Sequence, residues 1–210
     1  MRILVIMLFS LLTSTAAWTQ SGSLWDMLPD SITLDSAKLL KGGVKGWRDI
    51  PWGTPSSKVK ASEGMDEVAG GGLMKTAMFG GVEDVIWLAY CGDDGLMGGV
   101  YFAIPGYTEP MRYIELYNQW QINLKGKYGV PSIQKVNWHN SEWREEVENG
   151  TFSFGWALEN GYLSYSTAWI FEDGSAIVMG LDTEMPMMQN VPAIVLAYVK
   201  DLKGIDNEKW

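Results

Sequence analysis

"TFSFGWALENGYLSYSTAWIFEDGSAIVMG", residues 151–180, decides the fold class. Two pairs, Asn160-Gly161 and Asp173-Gly174, divide it into three runs. Such pairs are the strongest local signal for two-residue hairpin turns, because both residues tolerate positive φ. Apolar residues alternate through the runs, as half-buried strands require. With turns at these pairs, Trp156 lies opposite Tyr165, Phe154 opposite Thr167, Phe152 opposite Trp169, and Trp169 opposite Val178. One face then gathers the large residues, from Phe152, Phe154, Trp156 and Leu158 to Trp169, Phe171 and Val178. The other carries Ser153, Gly155, Ala157, Ser164, Ser166 and Ala168. The first face reads as core beneath a helix, and the second as open or as the seat of a close-packed partner.

"NVPAIVLAYVKDLKG" (190–204) is the expected covering helix, with Asn190 as cap and a stripe of Ile194, Val195, Tyr198, Val199 and Leu202. Upstream, "TEPMRYIELYNQWQINLKGKYGVP" (108–131) is the strongest helical pattern in the chain. Thr108 can cap it, Ile114, Tyr117, Leu124 and Tyr128 recur at helical spacing, and Gly129 and Pro131 stop it. Before it come three strand candidates, 73–79, 84–91 and 97–104, joined by the turn-rich "GGVE" and "GDDG". Asp93 and Asp94 belong to that turn chemistry rather than to a cation site. The class is therefore α+β: antiparallel meanders packed by two main helices.

The chain reaches this frame through "DIPWGTPSSKV" (49–59). Gly53 permits a turn, Thr54 is a good N-cap and Pro55 suits a first helical position, so a short helix with Val59 inward is expected. Trp47 and Trp52 are read as sealing the core edge. "YGVPSIQKV" (128–136) echoes "WGTPSSKV" (52–59), and "NLKG" (123–126) recurs as "DLKG" (201–204). Two readings stay open: a duplication over 52–126 and 128–204, or convergent Gly/Pro punctuation. Otherwise residues 46–204 form a single domain, after an irregular lead-in over 18–45 with one short helix at 36–41, and before a tail at 205–210.

The 210 residues carry a net charge of −9, which disfavours nucleic acid and anionic lipid as partners. "MRILVIMLFSLLTSTAAWTQ" opens the chain with Arg2, an apolar run and small residues at 15–17, the layout of a signal peptide over 1–17. The run is too short to span a bilayer, and no cysteine follows for lipid attachment, so a periplasmic or secreted product without a membrane span is expected. Cys91, the only cysteine, excludes an internal disulfide and reads as a small buried hydrophobe on a strand.

Trp47, Ile50, Pro51, Trp52, Gly53 and Thr54, followed by a helix closing in Tyr128-Gly129-x-Pro131, resemble a pattern in small exported bacterial domains of uncharacterised function. The pattern runs W-x-x-I-P-W-G-T … Y-G-x-P, and the resemblance covers roughly residues 46 to 182. The tandem reading is also similar to the fold of β-lactamase inhibitor proteins and small outer-membrane assembly lipoproteins. That likeness implies a helix-plus-antiparallel-sheet module that binds other proteins. This chain lacks their disulfides and lipidated cysteine.

Chemistry is sparsely signalled. His139 is the only histidine, and no nucleophile, metalloprotease or nucleotide-loop motif accompanies it. Zinc of the histidine/cysteine kind is disfavoured by composition. Met185, Met187 and Met188 would suit Cu(I), yet methionine is equally a core filler, so neither metal nor cofactor is assigned. Glu142, Glu145, Glu146 and Glu148 read as a solvated acidic helix. Of the eleven tryptophans, Trp138 and Trp143 lie where surface exposure is expected, and with His139 they are the candidate ligand-binding residues. The functional expectation is a non-enzymatic binding module of the cell envelope, its partner another envelope protein or a glycan. The alternative is a small secreted hydrolase or glycan-binding protein using acidic residues and surface tryptophans.

Overall fold

The structure is a computed structural model, and it describes residues 38–68, 72–185 and 188–202. The leader, most of the lead-in, the tail and the side chains of the methionine cluster lie outside these residues. The class expected from sequence holds: four helices among the described residues pack on a large antiparallel sheet.

The chain begins with a two-stranded ribbon, β1 (Gly46–Trp47) and β2 (Ile50–Pro51). Helix α1 (Ser56–Glu63) follows, then strands β3 (Asp66–Glu67), β4 (Leu73–Phe79), β5 (Val82–Gly92) and β6 (Gly95–Ala103). Helix α2 (Met111–Tyr128) leads into β7 (Ile133–Trp138) and the short helices α3 (Ser141–Glu148) and α4 (Phe154–Glu159). Strands β8 (Leu163–Ile170), β9 (Ala176–Met185) and β10 (Met188–Val199) complete the fold. The eight-stranded sheet has the order β3-β4-β5-β6-β10-β9-β8-β7, so two consecutive four-strand runs meet through their last strands.

One face of the sheet carries the main core. Leu73, Trp87, Tyr101, Trp169, Ile177, Met179 and Ile194 meet Val59 of α1, the α2 stripe, Val147 of α3 and Leu158 of α4 there. All four helices send their buried residues to this face. The opposite face holds two smaller clusters, one around Val100, Phe102 and Val195 and one around Ala168, Ile170 and Val178.

Several expectations are corrected. Residues 190–199 are strand, not helix: β10 lies between β6 and β9 at the centre of the sheet. A central strand is buried on both faces, so its apolar residues run together and imitate a helical stripe. Ile194 and Leu196 face the helices, while Ala193, Val195 and Ala197 face away. Pro192 is tolerated because the β9–β10 register shifts between Gln189 and Ala193.

Residues 154–159 are likewise helix rather than strand. The Ser153 hydroxyl accepts from Trp156 N at 3.0 Å, and Asn160-Gly161 ends the turn of helix instead of making a hairpin. The same φ > 0 preference serves both uses, which is why the pair misleads. The pairings of Phe152, Phe154 and Trp156 across to β8 therefore do not exist. The Asp173-Gly174 turn does exist, but its register is one residue off. Phe171 N donates to Ser175 O at 3.0 Å, so Trp169 lies opposite Ile177 and Val178 moves to the far face.

Smaller differences lie at helix starts. Pro55 and Pro110 occupy the cap positions of α1 and α2, while the Thr54 hydroxyl donates to Pro51 O at 2.8 Å. The described part of the segment expected as helix at 36–41 is not helical, and Leu40 bridges Phe171 in parallel. The two echoed segments also differ in structure: "SSKV" at 56–59 opens α1, whereas "IQKV" at 133–136 is strand β7. Trp47 is fully buried at the core edge, as expected, and Trp52 is half-buried. Gly53 N and Leu96 O bond at 2.9 Å, and Leu96 N returns to Thr54 O at 2.9 Å, which fastens the Trp-Gly-Thr segment to the start of β6.

Candidate functional site

Trp138 ends β7 opposite Leu163, half-buried, with its ring centroid 6.0 Å from exposed Phe154. His139 is exposed; its Nε2 lies 3.0 Å from the Ser164 hydroxyl, and its backbone N donates to Tyr162 O. Asn140 then caps α3, accepting from Glu142 N at 2.9 Å, and this sets the direction of Trp143. Trp143 stacks on Tyr162 at 5.3 Å and 10°, with Trp156 and Phe152 edge-on around it. Phe152 and Trp156 stack at 4.1 Å. The corner between β7, α3 and α4 is thus a satellite aromatic cluster whose rings mostly face one another. Trp138 and Trp143 join different ring contacts within it. Glu142, Glu145, Glu146 and Glu148 are exposed on α3, as a solvated acidic helix would place them. Cys91 is partly buried against the main core, and burial raises its thiol pKa despite a hydrogen bond from Ser56.

A second region assembles residues that the sequence scatters. A cleft of about 490 Å³ opens between the β1–β2 ribbon, the β4–β5 turn, the end of α2 and the sheet. That volume falls in the range of small-ligand and anchor-residue pockets. Its floor is aromatic. Phe79 stacks on Tyr101 at 3.8 Å and 12°, and Trp87 meets both rings edge-on at 6.2 and 5.2 Å. Tyr198 stands edge-on to Tyr101 at 6.2 Å, and Tyr128 closes the α2 side. Burial, with the neighbouring hydroxyls of Tyr128 and Tyr101, pushes the Tyr198 phenol far above its ordinary pKa, so it stays neutral at working pH. Burial likewise raises Tyr101, against a partial offset from the Arg48 charge.

The rim is cationic and apolar. The Arg48 guanidinium lies over the Trp87 ring at 4.3 Å and pairs with Glu63 at 3.3 Å. Lys75 also approaches the Trp87 ring at 4.3 Å and meets the same Glu63 carboxylate at 2.7 Å. Lys127 lies 5.0 Å from the Tyr128 ring, and Met78 stands 64% exposed at the mouth. Among the described residues, no aspartate or glutamate lines the cleft. In a chain of net charge −9, that is a local reversal of sign.

No family model, curated protein or solved structure matches the chain.

Two further features set this cleft apart. Arg48 adopts φ 58°, in the positive range that disfavours a long side chain by about 1–2 kcal/mol. Glycine would fit that turn position at lower cost, yet the chain places its cation there. Trp87 is 6% exposed, and its indole N–H has no acceptor among the described residues. A buried donor left in this state costs about 1–3 kcal/mol. Among the described residues, no group of three or more His, Cys, Asp or Glu stands where it could hold a metal ion. No described helix is long and apolar enough to cross a membrane.

The sequence reading missed this cleft because its walls come from six separate stretches. Each aromatic there reads singly as core, and each cation singly as surface. The nearest signal was an arginine in the tight Trp47-Arg48-Asp49-Ile50 turn.

Proposed function

We propose that the chain is an exported binding module of the bacterial cell envelope that docks another protein through the aromatic cleft, without catalysing a reaction on it. The observation that carries this reading is the cleft's composition: an aromatic floor, an exposed methionine at the mouth and arginine at the rim. Aromatic residues and arginine supply most of the binding energy in protein interfaces, surrounded by weaker contacts that exclude water. Methionine at a rim adapts to the partner's shape.

A glycan-binding reading draws on one observation, the exposed Phe154 ring beside Trp138. A sugar needs an open aromatic face, and here the larger cluster around Trp143 is turned on itself. Protein docking at the cleft is therefore the preferred reading.

The test is affinity capture from envelope extract with the mature chain, set beside Met78→Glu and Trp138→Ala/Trp143→Ala variants. Met78→Glu puts a charge at an exposed position, so the fold is retained while docking is lost. Loss of a specific partner with Met78→Glu, and its retention with the tryptophan variant, is the expected result. Retention of the same partner by Met78→Glu would remove the cleft from the interface.

A further inference from the structure

Among the described residues, the charged groups lining the cleft are both cations. Arg48 brings a guanidinium, Lys127 an ammonium and Trp87 a buried indole N–H with no acceptor among the described residues, and no carboxylate among the described residues lines the walls. Guanidinium, ammonium and indole are donors only, with no accepting lone pair to offer. Guanidinium is also the side chain best matched to a carboxylate, through paired N–H bonds. Beneath the cations lies the stacked Phe79–Tyr101 floor, which favours an apolar or aromatic body rather than a small hydrated ion. The walls of a low-dielectric cleft concentrate the field of the two cations against the negative remainder of the protein.

We infer that the cleft takes a carboxylate carried next to an aromatic or large apolar group, such as the C-terminal residue or an acidic-aromatic step of a polypeptide. This rests on reading the cleft as the docking point, and it specifies the chemistry recognised there. The carboxylate pairs with Arg48 and Lys127, and the attached ring lies on the aromatic floor beside Trp87. Glu63 pairs with one terminal nitrogen of Arg48 at 3.3 Å and does not line the cleft, so further guanidinium donors remain for the ligand.

The experiment is a titration of the ¹⁵N-labelled mature chain, read at the indole N–H resonance of Trp87. That resonance is assigned by its disappearance in Trp87→Phe, or by its response to Arg48→Gln if the first variant does not fold. The probes are N-acetylphenylalanine, its uncharged amide, and inorganic phosphate. The acid is expected to shift the Trp87 resonance saturably and to bind at least about tenfold more tightly than the amide. Arg48→Gln is expected to bring the acid down to the amide's affinity, and phosphate to leave the resonance unmoved at the same concentrations. Equal titration by acid and amide, or no shift with either, would overturn the inference. A saturable shift with phosphate matching the acid would overturn it too, since the site would then read an oxyanion without the apolar group. The two claims fail separately. Capture lost in Met78→Glu without preference for the acid sinks only the carboxylate assignment, and acid-selective binding with capture retained sinks only the docking reading.

Discussion

At the scale of single residues, Trp47 shows how a motif read from sequence acquires a physical role. Its ring is fully buried and lies 6.2 Å from Trp87 and 5.5 Å from Tyr101, so it backs the floor of the cleft. It is seated against β6 at Gly99, where an added Cβ would overlap the indole ring. Gly99→Ala is therefore expected to destabilise the protein by about 1–3 kcal/mol, the range for overpacking a close-packed core. Urea unfolding measures it, and a change within a few tenths of a kcal/mol would show that Trp47 is not held there. The burial of Trp47 was legible because a tryptophan beside a turn, in a chain with no disulfide, has few other places to go. The exposure of Arg48 in a positive-φ conformation was not legible. Nothing in one sequence distinguishes an arginine held in strain from an ordinary surface cation.

Elements were legible where a pattern had one cause. Strands β4, β5 and β6 and helix α2 lie close to their expected bounds, because turn residues and periodicity agree there. Strand β10 and helix α4 were misread because the pattern had two possible causes: burial on both faces imitated a helix, and a short helix with Phe152, Phe154 and Trp156 around it imitated alternation. The β8–β9 loop shows a third case, in which the turn was recognised but its length was not. Asp173 explains that loop. Its carboxylate accepts from Ser175 N at 3.0 Å and from the Ser175 hydroxyl, and it meets Lys45 at 2.9 Å. Burial opposes ionisation, but these bonds prevail and hold the pKa below its ordinary value. A depressed carboxylate stabilises the fold above the unfolded-state pKa and loses that contribution as pH falls through the lowered one. Asp173→Asn is expected to cost less than about 1 kcal/mol at pH 7, because the Lys45 pair is solvent-screened. The gap from wild type should narrow as pH drops below about 4. Parallel urea unfolding curves at all pH values, with a constant gap, would contradict this assignment.

Across the whole molecule, the strand order repeats even though the echoed segments differ in secondary structure. Helix α1 precedes β3 to β6, helix α2 precedes β7 to β10, and each run keeps its chain order across the sheet. A repeat drawn from this topology would run from helix to fourth strand in each half. The sequence echo instead sets the start of α1 against the start of β7. Gly and Pro punctuate both places, ahead of a helix in one and of a strand in the other. The cleft belongs to this scale as well. It draws on the opening ribbon, the β4–β5 turn, the end of α2 and the sheet's central strands, and periodicity reports none of those long-range meetings. Docking at this cleft is tested most directly by photo-crosslinking from single positions in living cells, with a benzophenone amino acid at Met78, Ile122 or Phe154. Met78 stands at the mouth of the cleft, Ile122 is exposed on α2 outside its lining, and Phe154 marks the other aromatic corner. A discrete protein adduct from position 78, with none from 122 or 154, is the expected result; adducts from 122 or 154 with none from 78 would contradict docking at the cleft.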